Sequence, residues 1–215
     1  MMTPAEDFLS ALLRGDRRGA NQLVDAALDS NPDLRSLYLD ILQPAMREVG
    51  RLWQENGISV ADEHLATAIA QAAMGRAFER SYVWHDRRTP TLIAACAEDE
   101  RHQMGLRMLC DLLELEGWDT TYLGASVPVE SLVAIVVKRK PDVVAVSATI
   151  APHLPRVRSA VGAIRGSGLS PMPLIIIGGL AVGGDEELAR RLGADLTASD
   201  ASEAVRVLRD QFAQR

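Results

Sequence analysis

The sequence is poor in cysteine, in aromatic residues and in positive charge. Its 215 residues include two cysteines, Cys96 and Cys110, without CxxC spacing, so neither a disulfide framework nor a zinc site is indicated. A net charge of −6 argues against direct binding of nucleic acid, which needs a clustered basic surface. No run approaches the roughly 20 apolar residues of a membrane span, and the first residues do not resemble a signal peptide. We expect a cytoplasmic protein that contacts neither membrane nor nucleic acid.

The first part of the chain has the apolar periodicity of helices, and strand patterns are absent from it before about residue 90. Thr3 and Ser59 stand where helix caps are expected. Pro44 lies inside an otherwise helical pattern and predicts a kink or a restart of that helix. Residues 1–86 are therefore predicted to form a four-helix bundle, and the polar run 85–90 is predicted to be a linker.

The second part, residues 90–215, alternates short apolar runs with amphipathic helices. This alternation predicts a doubly wound, flavodoxin-like α/β domain with a parallel five-stranded sheet. The five predicted strands are 92–97, 120–123, 143–147, 174–177 and 195–197. In such folds ligands bind where the strands end, so the loops after these strands are the candidate site.

Distinctive residues occupy three of those loops. His102 follows the first strand among acidic residues, a setting that suits a metal ligand whose other ring nitrogen is held by a carboxylate. Ser147 and Thr149 follow the third strand. The pair Gly178 and Gly179 follows the fourth, where absent side chains let a flat or bulky ligand approach the backbone.

The spacing of these residues resembles a known family. Glu100-x-His102-x-x-Gly105, then 41 residues, Ser147-x-Thr149, then 28 residues and Gly178-Gly179 is similar to the pattern of cobalamin-binding domains. Those domains occur in methionine synthase, corrinoid methyl carriers and cobalamin-dependent mutases. Two positions depart from the family pattern: Glu100 stands where aspartate is usual, and Thr149 where leucine is usual.

The resemblance implies a role for each residue. His102 is the expected lower ligand to cobalt, replacing the cofactor's own base, and Glu100 its hydrogen-bond partner. Gly105 is expected at a close-packed turn. The expected channel for the displaced nucleotide tail comprises Ser147, Thr149, Gly178 and Gly179. Arg101, in the loop after the first strand, is a further expected contact of the cofactor. His85 and His153 are predicted to be surface residues, and a contact of His153 with the rim of the cofactor is left open, since it follows Pro152 near the strand ends.

A second motif lies in the helical part: Trp53, nine residues, then Glu63-His64. An aromatic ring can pack on a nucleoside, and a carboxylate can accept hydrogen bonds from ribose hydroxyls. This pattern resembles the light-sensing cobalamin domains of bacterial photoreceptor regulators. The resemblance implies that Trp53, Glu63 and His64 bind the upper face of adenosylcobalamin. Gln54 stands where the best-known members have a histidine.

Three functions fit these patterns. The favoured hypothesis is a light sensor that holds adenosylcobalamin and signals to a separate transcription regulator or kinase, since no DNA-binding segment is expected before the bundle. The alternative is a corrinoid methyl carrier, with methylcobalamin, that serves a methyltransferase. A cobalamin storage protein also fits, and homo-oligomerisation is left open.

Overall fold

The computed structural model describes residues 2–83 and 90–213. The chain divides into two compact units, 1–84 and 85–215, each of which is described by itself. Most of the predicted linker, residues 85–89 with His85, lies outside the described residues. No helix in the described ranges has the length and hydrophobicity needed to cross a bilayer.

The first unit is helical, as predicted. Its helices are α1 (Pro4–Leu13), α2 (Arg17–Ser30), α3 (Leu34–Ser36), a π-helix (Leu37–Leu42), α4 (Gln43–Gln54) and α5 (Val60–Ser81). Since α3, the π-helix and α4 follow one another without a break, the unit has four helical rods. Both predicted caps are present: Thr3 forms a capping box with Glu6, and Ser59 forms one with Asp62.

The restart predicted at Pro44 is present as a change of helix type, because the π-helix ends at Leu42 and α4 begins at Gln43 with Pro44 in its first turn. Proline has no N–H to donate, and in an α-helix its ring collides with the carbonyl four residues earlier. The π-helix ends directly before it, where the Gln43 N–H donates to the carbonyl of Tyr38, five residues back. This wider turn admits the proline while the helical rod continues into α4.

The second unit is an α/β domain. Its strands are β1 (Thr91–Cys96), β2 (Asp119–Gly124), β3 (Val143–Ser147), β4 (Leu174–Gly178) and β5 (Leu196–Thr197). Its helices are α6 (Met104–Leu115), α7 (Val129–Arg139), a 3₁₀ turn (Ala151–His153), α8 (Leu154–Arg165), α9 (Glu186–Leu192) and α10 (Ala201–Phe212). The strand order is β2-β1-β3-β4-β5 and every pairing is parallel, which confirms the flavodoxin-like fold.

The centre of the sheet is fully apolar. All of β3 is buried, and Val144 and Val146 pack in one cluster with Ile175 and Ile177 of the next strand. Each such side chain contributes about 1.5–3 kcal/mol by leaving water. The order reverses between β1 and β3, because the chain runs outward to β2 on one side and to β4 on the other. In folds of this kind, ligands bind beyond the carboxyl ends of the strands at this switch point.

Candidate functional site

The ends of three neighbouring strands bring the predicted motifs to one level. Cys96 at the end of β1 is paired in register with Ser147 at the end of β3, and Ser147 with Gly178 at the end of β4. Because parallel strands end at the same edge, the loops that carry the three motifs leave the sheet side by side. The structure thus brings together residues that are up to 79 positions apart in sequence, from Glu100 to Gly179.

Glu100 is the centre of this edge. Its side chain is fully buried and accepts four hydrogen bonds. Oε1 accepts from the backbone N–H of His102 at 2.8 Å and from the His102 ring Nδ1 at 2.5 Å. Oε2 accepts from the backbone N–H of Thr149 at 2.7 Å and from His153 Nδ1 at 2.9 Å. The hydrogen bond predicted between Glu100 and His102 is therefore present, in spite of the longer arm of glutamate.

These donors keep Glu100 ionised. Burial raises the pKa of Glu100, but the hydrogen bonds from His102, Thr149 and His153 outweigh burial and hold that pKa well below its ordinary value. An anionic oxygen only accepts, so the Nδ1 atom of each imidazole must carry a hydrogen. The lone pair of a neutral His102 ring is then on Nε2, the nitrogen opposite the carboxylate. Since the His102 side chain is 56% exposed, this is an oriented imidazole that can ligate a metal.

His153 is not the surface residue that the sequence predicted. It ends the 3₁₀ turn after β3, and its side chain is only 16% exposed because it packs against Glu100. The sequence shows only that His153 follows Pro152 in the loop after the third predicted strand. No local pattern links residue 153 to residue 100; the pairing depends on the adjacency of β1 and β3.

The glycines of the motif serve different physical purposes. Gly179 has φ of +91°, and a Cβ there would lie 2.2 Å from the carbonyl oxygen of Ala148, so this position requires glycine for the chain's own packing. Gly105 lies in the first turn of α6 rather than at the close-packed turn that was predicted. Apart from its chain neighbours and its own helix backbone, a Cβ at Gly105 would meet no atom within 4 Å, so the space beside this residue is open.

The remaining predicted residues of this edge have clear positions. Ser147 is nearly buried at the end of β3, while Arg101 is exposed beside His102. Thr149 contributes its backbone N–H to Glu100. Two large apolar side chains that the sequence analysis missed, Ile150 and Leu180, are exposed in the loops that follow β3 and β4. Exposed apolar groups at a strand-end crevice are typical of ligand contacts.

In the helical unit, Trp53 lies near the end of α4, and Glu63 and His64 lie in the first turns of α5. Trp53 is 43% exposed, and Val60 and Leu65 are exposed to a similar degree. We call this set of residues at the end of α4 and the start of α5, namely Trp53, Val60, Glu63, His64 and Leu65, the bundle tip. Glu63 accepts a hydrogen bond from the Thr67 hydroxyl at 2.8 Å and lies 3.7 Å from the exposed His64 ring.

An oriented imidazole at the carboxyl ends of a doubly wound parallel sheet, in a chain that also has a helical unit, fits the class of cofactor-binding proteins. Residues 90–208 match the family described as B12 binding domain, and residues 4–77 match a second family with the same description. The chain belongs to the B12-binding domain family and is a cobalamin-binding protein.

Two curated relatives represent different uses of such domains. The HTH-type transcriptional repressor CarH of Myxococcus xanthus is 29% identical over 142 residues, which cover 66% of this chain and 46% of that repressor. This chain thus matches less than half the length of CarH. Monomethylamine corrinoid protein 2 of Methanosarcina mazei is 25% identical over 214 residues, which cover 96% of this chain and 97% of that protein.

A solved structure shares the fold over nearly all of the chain. The monomethylamine corrinoid protein of Methanosarcina barkeri superimposes on this chain with a TM-score of 0.77 at 21% sequence identity. The alignment covers 94% of each of the two chains. At this identity the likeness speaks for the fold alone.

Proposed function

We propose that this chain is a corrinoid carrier that serves a methyltransferase, with His102 as the lower ligand to cobalt. The observation that carries the proposal is the exposed His102 ring held by a buried carboxylate at the switch point of the sheet. Similarity over almost the full length of a monomethylamine corrinoid protein supports the carrier role over the light-sensing role that sequence patterns favoured.

The residues present fit a cobalamin whose own base is displaced. A corrin ring supplies the in-plane ligands of cobalt, so the protein needs to add one nitrogen, His102 Nε2. Glu100 orients that nitrogen and increases its basicity. Ser147, Gly178 and Gly105 leave a small, partly polar edge for the rest of the cofactor. When bound, the cofactor supplies methyl transfer at cobalt, while the chain supplies ligation and orientation.

Replacement of the ligand tests the first part of the proposal. In protein labelled with ¹⁵N-histidine, we expect His102→Ala to lose the ¹⁵N splitting in the electron paramagnetic resonance spectrum of bound cob(II)alamin, which the ¹⁴N of the cofactor's own base cannot replace, and to weaken methylcobalamin binding by about a hundredfold. The matched control is His64→Ala, which removes an exposed histidine from the helical unit and should keep the splitting. An unchanged spectrum and affinity in His102→Ala would refute the ligand assignment.

A light sensor is the second candidate, and the bundle tip is the observation that favours it. Trp53, Glu63 and His64 keep the spacing of the photoreceptor motif, and the 29% identity to CarH is higher than that to the corrinoid protein. In this proposal Trp53 and Glu63 bind the adenosyl group of adenosylcobalamin. Gln54 cannot replace an imidazole, so cobalt would lack a second histidine ligand after illumination.

The two candidates differ in cofactor and in response to light. A carrier should bind methylcobalamin and pass its methyl group to a thiol when a methyltransferase is supplied. A sensor should prefer adenosylcobalamin and change both its visible spectrum and its mass after green illumination. Preference for adenosylcobalamin together with a light-dependent mass would overturn the carrier proposal, whereas methyl transfer without a light response would overturn the sensor.

A further inference from the structure

The buried carboxylate of Glu100 has one more methylene group than the aspartate usual at this position. The additional torsion gives its carboxylate more positions to occupy, and each ordered torsion costs conformational entropy. A hydrogen bond to His102 alone would leave the far oxygen of Glu100 unsatisfied in a buried place, which costs about 1–3 kcal/mol. Glutamate can therefore orient His102 only if its second oxygen is also held.

The structure shows how that second oxygen is held. Oε2 accepts from Thr149 N at 2.7 Å and from His153 Nδ1 at 2.9 Å. The Thr149 donor is backbone, which any residue except proline supplies at that position. His153 is a side-chain donor whose ring, 16% exposed, is itself held on the 3₁₀ turn after β3. One carboxylate thus ties the loop after β1 to the loop after β3.

We propose that His153 is a positioning residue that adapts this site to glutamate: it holds the far oxygen of Glu100 so that the near oxygen can orient His102. This inference rests on the proposed role of His102 as the cobalt ligand. His153 need not touch the cofactor. It acts through Glu100 on the tautomer and orientation of the His102 ring.

A pair of variants separates the hydrogen bond from simple packing. The side-chain nitrogen of asparagine can take the place of histidine Nδ1 as a donor, whereas leucine fills similar space without any donor. We expect His153→Asn to keep methylcobalamin affinity within about threefold of the parent protein, and His153→Leu to weaken it about tenfold.

A double-mutant cycle tests the link to glutamate length. Glu100→Asp shortens the arm, so its carboxylate should reach His102 or His153 but not both. The loss caused by His153→Leu should therefore shrink to about twofold or less when Glu100→Asp is also present, which is the coupling expected of residues in direct contact. An equal loss in both backgrounds would overturn the proposal.

The apoprotein provides a readout that does not depend on the cofactor. Long-range ¹H–¹⁵N nuclear magnetic resonance spectra distinguish the Nδ1–H from the Nε2–H tautomer at each of the four histidines. We expect His102 to be Nδ1–H in the parent protein and in His153→Asn, and a mixture in His153→Leu. Circular dichroism confirms that each variant is folded.

The outcomes distinguish the two proposals. A parent protein without histidine nitrogen on cobalt would overturn the proposed function, while the tautomer of His102 in the apoprotein would still decide the role of His153. If His102 keeps its Nδ1–H tautomer in His153→Leu, or if His153→Asn and His153→Leu behave alike, the positioning role is refuted.

Discussion

The two units each carry a glutamate and a histidine close together, but the two pairs are built differently. Glu100 is fully buried, accepts four hydrogen bonds and lies 2.5 Å from His102 Nδ1. Glu63 is 25% exposed, accepts from one hydroxyl and lies 3.7 Å from the His64 ring. Several hydrogen bonds from different loops hold the first pair in one geometry. The second leaves both side chains able to move toward a ligand.

The difference follows from burial. A buried carboxylate must satisfy its oxygens within the protein, and every donor that does so restricts its position. An exposed carboxylate exchanges partners with water at little cost. The sheet edge is therefore suited to hold a metal ligand in one orientation, whereas the bundle tip is suited to an exchangeable group, and variants can test this contrast.

The largest effect is expected from Glu100→Gln. The amide nitrogen of glutamine is a donor, and it would face N–H groups that now donate to the carboxylate oxygens. His102 would also lose the buried negative charge beside its ring. We expect the free energy of unfolding of the apoprotein to fall by about 3 kcal/mol in urea. Glu98→Gln, on the same loop with an exposed Arg156 as partner, is the control and should change it by less than about 0.5 kcal/mol. Similar losses would contradict the buried network.

Replacing glycine at two positions of the same motif should have opposite effects on stability. Gly179→Ala forces a Cβ against the Ala148 carbonyl at positive φ, and should destabilise the apoprotein by about 2 kcal/mol or more. Gly105→Ala adds a better helix former in open space, and should stabilise it by about 0.5–1 kcal/mol. If a corrin approaches this helix end, Gly105→Ala should nevertheless weaken methylcobalamin binding. Calorimetric unfolding and cofactor titration measure both, and equal stabilities would refute the packing argument.

Acid should weaken the sheet edge in a defined direction. The folded pKa of Glu100 lies below its unfolded value near 4.5, so its stabilisation is fully present above that pH and is lost as the pH falls further. By pH 3.5 about 1 kcal/mol should be gone. The stability of Glu100→Gln should fall less over the same range, because it has no proton to gain at this position. Parallel curves from urea unfolding at several pH values would argue against an ionised Glu100.

The smallest effect on stability belongs to the bundle tip. Since Trp53 is 43% exposed, Trp53→Ala should cost about 1 kcal/mol or less in the apoprotein. A larger consequence is expected only if the light-sensing candidate is right: preference for adenosylcobalamin over methylcobalamin should then fall. Leu65→Ala, an exposed residue of the same tip, is the control for general loss of apolar surface. Unchanged preference in Trp53→Ala would remove the main support for the sensor.

Much of the fold could be predicted from the sequence because its signals are local. β3 lies at the predicted residues 143–147, and the other four strands overlap their predicted ranges. Apolar runs, helical periodicity and caps depend on neighbours within a few positions. At Pro44 the local rule predicted a kink or a restart, and the structure changes there from the π-helix to α4 while the chain stays helical.

The candidate site could be predicted only where its parts form a spaced motif. Glu100 and His102 belong to one short motif, whose family resemblance implied their pairing, and the hydrogen bond is present in the structure. His153 pairs with Glu100 across 53 positions, and Ile150 and Leu180 are exposed on loops of different strands. Such pairings depend on which strands are neighbours, and no local pattern records that.

The sequence by itself determined the two kinds of unit, the strand-end location of the motif and the membership of His102 in it, because periodicity and spacing are properties of a linear chain. Only the tertiary structure decided that β1 and β3 lie side by side and that one buried carboxylate joins His102 to His153. The physical reason is that a buried carboxylate needs hydrogen-bond donors inside the protein, and the fold decides which residues lie close enough to donate.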